Sequence, residues 1–141
     1  MTASRPDISF NVGVSARYQA NPKESHILAV KRIIRFMNGT SNHGIWYSFD
    51  TNPSLVGFSD ADWAGNCDYK KSTSGGCFFL GNNLVSWFCK KQNSISLSMA
   101  EVEYIAAGSA CTQLMWMKQM LADYDLEQGT LRGHLFFPLK N

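Results

Sequence analysis

A chain of 141 residues, 45% hydrophobic and 17% charged, has the length and apolar content of one globular domain with some additional chain, which excludes a disordered or fibrous protein. A formal net charge of +2 permits a nucleic-acid partner without arguing for one. The opening MTASRPDISF lacks a basic stretch followed by an apolar one, and no segment is long and apolar enough to span a bilayer, so the sequence predicts a protein that is neither exported nor membrane-bound.

The first predicted elements are helical. Pro6 and Asp7 precede Ile8, Phe10, Val12, Val14 and Ala16, a stretch that alternates more than it cycles and is read as helix. A second helix follows: Asn21 is placed to cap it, Pro22 suits its first position and Glu24 its first turn. Ile27, Val30, Ile33, Ile34 and Met37 recur at helical spacing until Asn38 and Gly39. The other face carries Lys23, Lys31, Arg32 and Arg35; such a row is ordinarily a solvated face, and the alternative is a surface that meets phosphates.

From Gly44 the pattern changes. GIWYSF, LVGFSD, GCFFLG and LVSWFC are short runs rich in aromatic and β-branched residues, separated by Asn, Pro, Gly and Ser, and they read as strands. The plainest turn is Gly81-Asn82-Asn83. A long helix over MAEVEYIAAGSACTQLMWMKQMLADY and a last strand in LRGHLFF complete the chain. The expectation is an α/β protein: a helical segment over 1–43, then, over 44–141, a mixed sheet with a right-handed crossover helix. Cys67, Cys77, Cys89 and Cys111 form no C-x-x-C pair and have no histidine cluster beside them, so they read as reduced, mostly buried thiols.

Two carboxylates stand out. Functional groups gather at the carboxyl ends of parallel strands, and Asp60 lies at such an end. On the long helix, Ser98 followed three residues later by Glu101 is a capping box, with Leu97 and Val102 spaced as a hydrophobic staple, so Glu101 has a structural post. Glu103, two residues on, points elsewhere and heads the stripe Ala106, Ala107, Ala110, Leu114, Met117 and Leu121 that should pack on the sheet. From the helix alone, Glu103 pairs with a lysine or reaches solvent. Asp60, expected on the strand face that this helix covers, adds a second acid, and two converging carboxylates ask for a hard cation, magnesium or manganese. Metal-assisted phosphodiester hydrolysis is the reaction that most often uses such a pair. Asp62 reads as a turn cap beside Trp63, a packing residue. Lys70, Lys71, Lys90 and Lys91 are solvated pairs by default, and together they offer a grip on a nucleic-acid backbone.

GFSDADWAG, KSTSGG and LVSWFCKKQNSISLSMAEVEY, in that order, resemble the ribonuclease H domain of copia-type LTR retrotransposon Pol polyproteins. RPDISFNVGVSARYQANPKESHILAVKRIIRFMNGTSNHGIWY resembles the segment joining the reverse transcriptase to that domain, and the resemblance runs from about Arg5 to about Glu127. It implies a ribonuclease H-like fold and cleavage of the RNA strand of RNA–DNA hybrids during reverse transcription. It also implies catalytic and metal-ligating roles for Asp60 and Glu103 with Mg2+ or Mn2+, no small-molecule cofactor, and a cytoplasmic location.

The resemblance also has a departure. Proteins of this family continue into a strand ending in Cys-Asp-Asn, whose aspartate is the third metal ligand, and then into a further strand and helix. Here the corresponding stretch is LRGHLFFPLKN, with Phe136 and Phe137 near the expected aspartate and His134 the one metal-capable side chain beside them. The expectation is a retroelement fragment, cut before its polymerase motifs and short of its last sheet strand, with activity weak or lost. The alternatives are a nucleic-acid-binding module that no longer cleaves and a pseudogene product without function.

Overall fold

The computed structural model describes residues 2–63, 71–129 and 132–135, the last four as backbone only. The chain divides into two compact units, Met1–Trp46 and Tyr47–Asn141.

In the first unit a short 3-10 helix, Pro6–Ile8, leads into α1 (Ser9–Ala16), and α2 follows over Glu24–Gly39. Arg5 ties the beginning of this unit to the end of α2. Its guanidinium pairs with Asp7 at 2.7 and 3.0 Å, donates to the Thr40 carbonyl and hydroxyl at 3.1 and 2.8 Å, and lies over the Phe36 ring. Helix α2 begins later than Asn21 and Pro22 predict, with Lys23 as its cap. The reason is local: His26 Nδ1 accepts the Lys23 N–H at 3.1 Å and its ring stacks on Tyr18 at 3.9 Å, so the reciprocal capping bond forms around Lys23.

The second unit holds β1 (Leu55–Asp62), β2 (Thr73–Leu80), β3 (Asn83–Lys91), α3 (Met99–Ala122) and β4 (Arg132–Leu135). The sheet order is β3-β2-β1-β4; β1, β2 and β3 form an antiparallel meander, and β4 returns parallel to β1 after α3. Gly81, at φ +60, makes the tight β2–β3 turn, and its N–H bonds the Ser54 carbonyl at 2.8 Å. Past α3, Gln128 clamps the start of β1: its Oε1 accepts the Leu55 N–H at 2.9 Å and its Nε2 donates to the Pro53 carbonyl at 2.7 Å.

GIWYSF is not a strand. Its Ser48 amide and carbonyl are taken by the Asn83 side chain, at 2.8 and 2.9 Å, so a side-chain amide does the work a neighbouring strand would do. Nor are the thiols mostly buried: among the described residues Cys77 and Cys89 are half-buried and Cys111 is exposed, and none of the three forms a disulfide. Cys67 lies outside the described residues.

Helix α3 packs on one face of the sheet through the predicted stripe. Ala110 and Leu114 meet Leu55 and Phe78, with Leu80, Phe88, Met117 and Leu121 around them. The approach is close because β1 offers no side chain at Gly57: a Cβ there would stand 2.8 Å from Leu114 Cδ1. A branched residue at 57 would push the helix away or force Leu114 off its rotamer. Gly57→Ala should therefore cost about 1–3 kcal/mol, and Leu114→Ala about 2–5 kcal/mol. Together they should cost less than the sum, because the smaller residue at 114 vacates the space the new methyl needs. Urea unfolding of the two single variants and the double variant measures that coupling, and strict additivity would contradict the packing described.

Candidate metal centre

Strand β1 carries Asp60 one residue beyond Ser59, which pairs with Leu135 of β4, and on its other side Asp60 pairs with Gly75 of β2. It is exposed, and its Oδ1 accepts the Ala61 N–H at 2.8 Å. Side chains alternate along a strand, and the face covered by α3 belongs to Leu55, Gly57 and Ser59. Asp60 shares the other face with Val56 and Phe58, which corrects the expectation that it lies on the helix-covered side. Asp62 is the last residue of β1, paired with Thr73; Ala64 and Gly65 of the turn it is expected to cap lie outside the described residues. Trp63 is partly exposed and donates from Nε1 to the Ser96 carbonyl at 3.5 Å.

Helix α3 brings the glutamate. Ser98 Oγ accepts the Glu101 N–H at 3.2 Å and Glu101 Oε2 accepts the Leu97 N–H at 2.8 Å, so Glu101 is engaged at the helix start as its spacing predicts. The staple does not form: Val102 is fully buried but Leu97 is 89% exposed. Glu103 is 4% exposed. Among the described residues it pairs with no lysine, and both of its carboxylate oxygens lack a hydrogen-bond partner. Burial, and then the charge of Asp60, push the Glu103 carboxyl above the ordinary carboxylate range; the Ala61 N–H acts against this, but its hydrogen bond goes to Asp60.

The surroundings are polar and tightly placed. Gln92, also buried, donates from Nε2 to Ser74 Oγ at 2.8 Å and to the Val102 carbonyl at 3.0 Å. It thereby ties the first turn of α3 to β2 next to Glu103. Among the described residues, the buried side-chain polar atoms without a partner are Gln92 Oε1, Ser96 Oγ and the two Glu103 oxygens. They cluster in sequence and bonding around the start of α3, and buried polar groups without partners ordinarily mark a ligand or water. Gln92 and Ser96 are not legible as site residues from sequence, since a Gln and a Ser in a polar loop have no periodicity to betray their burial.

The strand register carries the basic residues to this same end of the sheet: Lys90 pairs with Ser74 and Lys91 with Thr73. Lys71 Nζ donates to the Asn93 carbonyl at 2.9 Å, and Lys90 Nζ stands 5.7 Å from the centre of the Phe88 ring. Lys70 lies outside the described residues, as do the side chain of His134 and all of Phe136 and Phe137.

The donor set, all oxygen and anionic, fits a hard divalent cation: such an ion offsets both the burial of Glu103 and its repulsion by Asp60. Among the described residues no group of three or more His, Cys, Asp and Glu side chains gathers at metal-holding distances. Among those residues too, no helix is long and apolar enough to cross a membrane.

A mixed α/β sheet, flanked by one long helix that sets a buried glutamate within reach of an aspartate's charge, defines the class: an α/β protein with a carboxylate site at the end of its central strand. Comparison with known proteins then supplies the family. The retrovirus-related Pol polyproteins from transposon RE1 of Arabidopsis thaliana and transposon TNT 1-94 of Nicotiana tabacum are each 38% identical to it, over 85% and 91% of this chain. The chain spans only 8% and 10% of their lengths. Secreted RxLR effector protein 161 of Plasmopara viticola is 38% identical over 83% of this chain and 82% of its own length. No family model matches the chain, and no solved structure does. The chain belongs to this family of sequences related to retrotransposon Pol polyproteins.

The raised carboxyl makes a prediction about stability. The fold favours the protonated form of Glu103, so its relative contribution is fully present below the unfolded carboxylate range and is lost as pH rises through the raised native value. In EDTA at pH 7–8, Glu103→Gln should melt higher than the native chain, with each kcal/mol relieved worth about 4–8 °C in a domain of this size. The difference should close as pH falls toward 4. Thermal melts across that range test it; a variant less stable than the native chain at pH 8 would show that the carboxylate has a partner in solution.

Proposed function

We propose that Tyr47–Asn141 is a ribonuclease H-like unit, derived from a copia-type retrotransposon Pol polyprotein, that acts on the RNA strand of RNA–DNA hybrids with Mg2+ or Mn2+. The observation that carries the reading is the buried Glu103 carboxylate, unpartnered and within reach of the Asp60 charge. The similarity to Pol polyproteins supports it, because hydrolysis of RNA in a hybrid belongs to the chemistry of reverse transcription.

Asp60 and Glu103 would hold the metal, which when bound supplies a nucleophilic water at neutral pH and offsets charge at the scissile phosphate. The protein's share is positional. Gln92 and the Ser98–Glu101 cap fix the turn of α3 that carries Glu103, and Asp60 is exposed, so a substrate could reach it. Lys71, Lys90 and Lys91, at the same sheet end, would meet the phosphates flanking the cut, with Lys70 beside them in sequence. Discrimination of RNA from DNA would come from 2′-hydroxyl contacts along the minor groove.

A second reading, a module that binds nucleic acid without cleaving it, rests on the number of ligands. Two carboxylates hold a metal less firmly than three, and a loosely held metal loses rate before the surface loses affinity.

A labelled RNA–DNA hybrid incubated with the native chain and Mg2+ or Mn2+ distinguishes them. We expect slow cleavage confined to the RNA strand, reduced about a hundredfold or more by Asp60→Asn and by Glu103→Gln, each costing several kcal/mol of transition-state stabilisation. Hybrid binding without cleavage would favour the second reading, and cleavage that survives both substitutions would place the chemistry elsewhere.

A further inference from the structure

Helix α3 packs one stripe against the sheet and leaves its other side without a partner. Over 24 residues it holds three charged side chains, and each is already placed: Glu103 is buried, Glu101 accepts the Leu97 N–H, and Lys118 donates to the Gly129 carbonyl at 3.1 Å. The side opposite the core stripe is uncharged and exposed. Gly108, Thr112, Met115 and Gln119 run along it at coiled-coil spacing, with Tyr104 on one flank and Trp116 on the other. Tyr104, Met115 and Trp116 are 82%, 68% and 56% exposed. Ser109 and Thr112 turn their hydroxyls back onto the Ile105 and Gly108 carbonyls, at 3.1 and 2.9 Å, so the hydroxyls here are served by their own helix. A helix that is apolar all round is ordinarily covered all round. Gly108 marks where the cover comes close. Glycine weakens a helix interior, and outside its own turn of helix no described residue stands within 4 Å of the Cβ it lacks, so the chain's own packing gives no reason for it.

We infer that this side of α3 is the interface of a symmetric dimer, packed against the same side of α3 in a second copy running antiparallel. The face is complementary to itself in that orientation. Pairing position 108 with position 115 sets Met115 of each copy over the gap at Gly108 of the other, Trp116 near Ile105, and Cys111 beside the two-fold axis. A parallel copy would set Met115 against Met115 and leave both gaps open. Charge agrees with the antiparallel choice. The exposed acids Asp123, Asp125 and Glu127 follow the C-terminal end of their own helix, where the dipole disfavours them, and in the dimer they lie toward the N-terminal end of the other copy's helix. The area is sufficient: an ordinary interface buries about 800 Å² per partner, and Tyr104, Met115 and Trp116, at roughly 150 Å² of exposed surface each, supply about half of it before their neighbours are counted. The inference does not rest on Asp60 and Glu103 as metal ligands.

The test is sedimentation velocity of the full chain between about 1 and about 100 µM, with a short bismaleimide added to link neighbouring thiols. The expected result is a dimer that forms within this range and links Cys111 to Cys111, mapped by mass spectrometry. Gly108→Gln fills the gap with a better helix former. It should weaken the dimer at least about tenfold, while the monomer, melted at the low end of the range, keeps or gains thermal stability. Met115→Lys should weaken the dimer likewise, and Met115→Leu should leave it within about threefold of the native chain. A chain that stays monomeric at the top of the range would overturn the inference, as would a dimer indifferent to Gly108→Gln and Met115→Lys, or one without the Cys111 link. So would a monomer that partitions into neutral phosphatidylcholine vesicles and ceases to do so with Met115→Lys, because the face would then belong to lipid.

Discussion

Glu103 is 4% exposed, and among the described residues its carboxylate has no hydrogen-bond partner. Burying such a group costs free energy, and the packing around it has to offset that cost. The compensation is visible along α3. Val102, Ala106, Ala110 and Leu114 are buried, Leu114 sits over Gly57, and Gln92 bridges Ser74 to the Val102 carbonyl. The helix is held by contacts on either side of the glutamate, and these contacts decide where the glutamate goes. A cation shared with Asp60 is the partner we propose for it.

The same logic explains the composition of β1. Its helix-facing side is Leu55, Gly57 and Ser59, small at the two positions toward the end where Glu103 arrives, while the bulkier Val56 and Phe58 lie on the opposite side. Small residues under the helix let it approach closely and leave a polar end to the core. Ser59, Ser74, Gln92, Ser96 and Glu103 are all buried, so this end of the unit is a polar interior. Polar interiors left partly unsatisfied trade stability for function.

Much of this was legible in the residues. Helix periodicity gave α2 and α3, turn residues gave the β2–β3 hairpin, and the local grammar of helix caps separated Glu101 from Glu103 before any coordinates. What failed depended on distant partners. GIWYSF has the residues of a strand, but the Asn83 side chain takes the Ser48 backbone groups instead. Leu97 has the spacing of a staple and is left exposed, its N–H bonded to Glu101. The sequence places Asp60 on the strand face that the helix covers; only the close approach of Gly57 to Leu114 shows that the core is on the other side. Gln92 could not be found at all, since its burial comes from the meeting of β2 and α3.

The central claim is that the buried glutamate waits for a metal shared with Asp60. Crystals of the protein grown with Mn2+, measured at a wavelength where manganese scatters anomalously, test it most directly. The account predicts an anomalous peak coordinated by a carboxylate oxygen of Glu103 and one of Asp60, absent from crystals of Glu103→Gln. A Glu103 carboxylate bonded to a protein donor, with no peak beside it at saturating Mn2+, would contradict it.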